Sequence, residues 1–114
     1  MLKNELIQQA FNEEKFRINT IQQIKNEFLK VGIDLPINTE ITSKEALLSD
    51  LAQEIILVQD QAPHLLAQLL YSFDLPEHQV AAAFEQPQEA PNKLAAAMLW
   101  RAAQKVYLRE KFRS

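Results

Sequence analysis

One glycine in 114 residues is the tightest constraint on what this chain can fold into. An average soluble chain of this length would hold about eight. Phosphate-cradling loops and dinucleotide fingerprints need several glycines, because a Cβ keeps the backbone away from the phosphate. Hairpin-rich sandwiches and barrels need turn residues with positive φ. The chain also has no cysteine, which removes disulfide frameworks, cysteine zinc sites, iron–sulfur clusters and thiol nucleophiles. These exclusions leave a small all-α protein.

The length suits a single domain over residues 1–114, able to bury a core but not to enclose a sizeable cofactor as well. No apolar run approaches the roughly 20 residues of a membrane span. The N-terminus turns amphipathic at once and has no signal-peptide apolar region. A cytoplasmic chain without membrane contact is expected.

Residues 3–31 read as one long amphipathic helix. Ile7, Phe11, Ile18, Ile21 and Phe28 recur at helical spacing, widened by Leu6, Ala10, Ile24 and Val31, and no proline intervenes. Such a helix would be roughly 40 Å long. Gly32, the lone glycine, falls just past the last apolar residue, where a left-handed residue closes a helix most readily. Residues 32–42 follow as an extended connector. Ile33, Leu35, Ile37 and Ile41 alternate with polar residues, but Pro36 argues against a central strand. The connector either packs its apolar side on helices or pairs with another chain.

The remaining residues, 43–114, predict a four-helix bundle-like unit. Thr42, Ser43 and Glu45 carry a helix-start signature, and the second helix runs to about Gln59. Pro63 opens a third, to about Phe73. Asp74, Pro76 and Glu77 repeat the start grammar for a short fourth helix that buries Val80, Ala81 and Phe84. A polar loop over 85–92 leads to Pro91 and a fifth helix ending near Lys111. The expectation is therefore five helices, the first a long arm docked on its own bundle or exchanged between subunits.

Charge is unevenly spread. Residues 1–42 sum to −1, residues 43–92 to −7 and residues 93–114 to +5. On the last helix Arg101, Lys105 and Arg109 share one face, extended by Lys111 and Arg113. That stripe suits phosphate tracking or an acidic protein partner, with Trp100 and Tyr107 near for stacking. It equally suits a helix C-terminus facing the chain's own acidic middle. Neither His64 nor His78 sits in a helical metal-binding pair. The carboxylates form no privileged acid–base pair: Glu13 and Glu14 point different ways, and Asp50 and Glu54 lie on a solvated face. Nucleophile motifs such as Gly-x-Ser-x-Gly are impossible with one glycine, and Ser43, Ser49, Ser72 and Ser114 have no histidine in a recognisable relation. The sequence thus predicts no catalytic residue, no metal site and no cofactor. Trp100, Tyr71, Tyr107 and Phe112 either fill the core or line a pocket.

The segment Leu69-Leu70-Tyr71-Ser72-Phe73-Asp74-Leu75-Pro76-Glu77, followed by Arg101 and Gln104-Lys105-Val106, resembles short all-helical bacterial proteins of unknown function. The resemblance covers about residues 45–112 and implies a helical fold without implying an activity. The first functional expectation is a non-enzymatic protein-interaction module. It would self-associate as a homo-oligomer through Ile7, Phe11, Ile18, Ile21 and Phe28. The second is a nucleic-acid-associated regulator using Arg101, Lys105, Arg109, Lys111 and Arg113. The third is a small-ligand binder near Trp100 and Tyr71.

Overall fold

The computed structural model describes residues 3–112. Within them the chain forms α1 (Lys3–Asn12), α2 (Glu14–Leu29), α3 (Lys44–Gln61), α4 (Pro63–Ser72), α5 (Glu77–Phe84), a 3₁₀ turn (Pro87–Glu89) and α6 (Ala90–Lys111). No strand occurs among the described residues. The described fold is all-α, but it has six α-helices where the sequence predicts five.

The extra helix arises from a break in the N-terminal arm. Glu13 takes an extended conformation, φ −106° and ψ 114°, and divides the arm into α1 and α2. Neither glycine nor proline stands there. The reason is tertiary. A straight helix over 3–31 would be roughly 40 Å long, as long as the whole molecule, whose extents are 40 × 27 × 26 Å. Breaking at Glu13 folds α1 back onto α6, where Leu6 and Ala10 become buried. Burial overrides a helix preference worth only tenths of a kcal/mol per residue.

Gly32 does end α2 with a positive φ, 82°. The Ile33 N–H donates to Phe28 O at 3.0 Å and the Gly32 N–H to Leu29 O at 2.9 Å, the paired bonds of a Schellman terminus. The same motif ends α4 without glycine. Asp74 has φ 63°, the Leu75 N–H donates to Leu70 O and the Asp74 N–H to Tyr71 O. Asp74 is therefore the left-handed terminator of α4 and not the cap of α5, which starts after Pro76. A short polar side chain tolerates this conformation better than most. At the head of α3 the Ala46 N–H donates to Ser43 Oγ at 3.1 Å. Ser43 is thus the cap, and Glu45 stands one position too early to return the bond to the cap's N–H as the start signature implies.

The main core gathers Ile21, Ile24 and Phe28 of α2, Leu47, Leu51 and Ile55 of α3, Leu69 and Phe73, and Leu94 and Met98 of α6. Phe28 and Phe73 meet edge to face at 5.9 Å. The connector contributes Leu35 and Ile37, both buried, so its apolar side packs on the helices. In α5 the buried residue is Ala83; Ala81 is exposed. Since α2 supplies core residues, the unit over 43–112 is not complete without it. A satellite cluster joins it through Ile7 and Phe11, with Leu6, Ala10 and Ala103 at its centre and Phe16, Trp100 and Tyr107 around it.

Space is not what holds position 32 to glycine, because a Cβ there would meet nothing within 4 Å. Gly32→Ala should therefore lower stability by about 1 kcal/mol through backbone strain alone. Chemical denaturation should show this with an unchanged slope, since the folded packing is not disturbed.

Candidate functional site

The basic stripe of α6 meets acceptors from three other parts of the chain. Lys105 Nζ donates to Glu27 Oε2 at 2.5 Å and to Ser72 O at 3.3 Å. Arg109 Nη1 donates to Gln23 Oε1 at 2.9 Å. Arg101 Nη2 pairs with Asp74 Oδ2 at 3.0 Å, and its Nη1 donates to Gln104 Oε1. The spacing of four residues along α6 places these cations on one face, and Gln23 and Glu27, four apart on α2, answer two of them. Three cations of the stripe thus have acceptors within their own chain, although Arg109 stays exposed.

Glu27 is the centre of this seam, with its side chain fully buried. It also accepts from Lys30 Nζ at 2.7 Å and Ser72 Oγ at 3.1 Å. Burial pushes its carboxyl up, but hydrogen bonds from Lys105 and Lys30, the Lys105 charge and the Ser72 hydroxyl together outweigh burial and hold it below its ordinary value. A buried carboxylate so surrounded is a structural anchor that ties α2, α4 and α6 together.

Lys111 lies over the Tyr107 ring at 5.7 Å, and Arg113 lies outside the described residues. Trp100 and Tyr71 stand in different surroundings. Trp100 packs in the satellite cluster, whereas Tyr71 is 87% exposed on a shallow groove beside Lys30 and Asp74. Phe112 is exposed as well and fills no core. His64 and His78 are both exposed. No group of three or more His, Asp or Glu able to hold a metal exists among the described residues. No described helix is long and apolar enough to cross a membrane.

The residues expected to mediate self-association divide into two sets. Ile21 and Phe28 lie in the main core of their own chain. Ile7, Phe11 and Ile18 are only partly buried. Ile7 and Phe11 form one wall of an open groove of about 460 Å³, whose other walls are Lys44 and Leu48 of α3 and Ala96 and Leu99 of α6. A second groove, about 450 Å³, lies under the break at Glu13, between Phe16 of α2 and Val106 and Tyr107 of α6. Two buried polar atoms, Arg17 Nε and Thr20 Oγ1, have no hydrogen-bond partner, and both belong to the half of α2 next to the break. Among the described residues, both of these unpartnered atoms and two open grooves thus lie around α1 and the start of α2.

No protein-family model, curated protein or solved structure matches this chain.

The sign of the Glu27 shift sets a pH dependence. Its folded-state pKa is lowered from 4.5, so its contribution to stability is complete above about pH 4.5 and is lost as pH falls through the folded value. Glu27→Gln should destabilise the fold by about 2–3 kcal/mol at neutral pH, because Lys105 and the Ser72 hydroxyl lose a charged acceptor. The variant should also lose this part of the acid dependence. Urea unfolding of both proteins from neutral to acid pH checks each statement.

Proposed function

We propose that this chain is a non-enzymatic helical interaction module that self-associates through its N-terminal helix. The observation that carries this reading is the half-covered apolar face of α1. Leu6 and Ala10 are buried on α6, while Ile7 and Phe11 border an open groove with Leu48, Ala96 and Leu99. Apolar side chains at the rim of an open groove gain free energy when a second surface excludes water from them, at about 25 cal/mol per Å². A second copy brings an identical apolar stripe, which makes the interface self-complementary.

The nucleic-acid reading draws less support. Three of its five cations, Arg101, Lys105 and Arg109, already have acceptors within the chain. Phosphate would have to compete with Asp74, Glu27 and Gln23 for them. The small-ligand reading loses its pocket, because Trp100 and Tyr71 belong to different patches.

Phe11→Glu places a charge on the partly covered face while leaving every buried residue of the main core in place. Light scattering should then report the mass of a single chain at concentrations where the unaltered protein is larger. Circular dichroism should show the helical content retained. A Phe11→Glu variant that keeps the full self-association would count against this reading.

A further inference from the structure

We infer that α1 is exchanged between two copies: in the dimer, Glu13 becomes helical, α1 and α2 join into one helix, and α1 occupies the α6 dock of the partner. The inference rests on the self-association proposed above and specifies its geometry.

Three observations meet at Glu13. The first is the nature of the break. The extended ψ of 114° at one residue interrupts the i→i−4 ladder, so the first N–H groups of α2 have no helical acceptor, and the Glu13 side chain does not cap them. The residue itself is a good helix former. Nothing local favours the bend, and straightening it would restore about three backbone hydrogen bonds.

The second is register. Ile7 and Phe11 continue the spacing of Ile18, Ile21 and Phe28 across Glu13, as they would on one unbroken helix. In the folded-back chain this continuity has no use: Ile18 lies outside both core clusters and is only partly buried.

The third is the place of α1 in the core. Leu6 and Ala10 belong to the satellite cluster, while the buried residues of the main core all come from α2 onward and α1 adds only the partly buried Ile7 and Phe11 at its edge. Swinging α1 away removes none of the buried residues of that core and uncovers only the edge under Ile7 and Phe11. It empties a dock on α6, around Ala103, that fits one occupant by construction, the α1 of another copy. The packing that α1 gives up on its own chain is rebuilt, residue for residue, on the partner, and the backbone bonds at Glu13 come in addition. Such a balance favours the exchanged pair as concentration rises.

The test uses the two residues at the break. Glu14→Pro places proline at the first position of α2, where its missing N–H has no helical acceptor in any case. Proline also holds the residue before it in the extended region, which is the conformation Glu13 has in the folded-back chain. The variant should stay folded as a monomer and lower the association constant roughly tenfold or more. Glu13→Ala, which favours the straight helix, should raise it. The chain has no cysteine, so Ala10→Cys on one copy and Ala103→Cys on another give a direct readout. When the two are mixed, incubated and oxidised, exchange yields a covalent heterodimer that the Glu14→Pro background suppresses. If Glu14→Pro dimerises as well as the unaltered chain, exchange is wrong while self-association stands. If the unaltered chain and Glu13→Ala both remain monomeric at millimolar concentration, both proposals fail.

Discussion

The packing of α6 against the rest of the chain is the interaction on which the remaining structure depends. α1, α2, α3 and α5 all pack on this one helix. It can serve so many neighbours because Ala95, Ala97, Ala102 and Ala103 keep its surface low and are buried. Larger residues among them, Leu94, Met98, Leu99 and Val106, fill the space between helices. The same helix carries the cations that pair with Glu27, Gln23 and Asp74. Its apolar face gives the fold its free energy, and the polar seam fixes where α2 and the end of α4 sit along it.

Two kinds of order follow. Around Glu27 every carboxylate oxygen has a donor, with the buried carboxylate held by two ammonium groups and a hydroxyl. Buried polar groups met so completely favour one arrangement, since any other leaves a charge without a partner. Around Glu13 the opposite holds. The helical ladder is interrupted, the α2 N-terminus has no side-chain cap, and Arg17 Nε and Thr20 Oγ1 are buried without partners. A fold with one rigid end and one incompletely satisfied end places any rearrangement at the second. This is why an interaction role is proposed for α1 and not for the basic stripe.

Much of the architecture is legible in the amino-acid sequence. Ser43, Pro63 and Pro91 mark helix starts within a residue or two of where α3, α4 and α6 begin, because caps and prolines act locally. Gly32 is legible for the same reason. The break at Glu13 is not, since its cause is the burial of Leu6 and Ala10 on the last helix of the chain, and no local residue announces it. Asp74 reads as a helix start in the sequence because an acidic residue before proline suits both a cap and a left-handed terminator. The α6 stripe stands out in the sequence, but its partners Glu27 and Gln23 lie 78 and 86 residues away. One signal does mark Glu27. It is a lone carboxylate within an apolar stripe, between Ile24 and Phe28, and such a charge needs a partner wherever that stripe is buried.

The central claim is that this chain meets a second copy of itself. Sedimentation equilibrium of the unaltered protein, from micromolar to millimolar concentration, tests it most directly. The account predicts a weight-average mass that climbs from the single-chain 13.1 kDa toward twice that value. A mass fixed at 13.1 kDa across the whole range would contradict it.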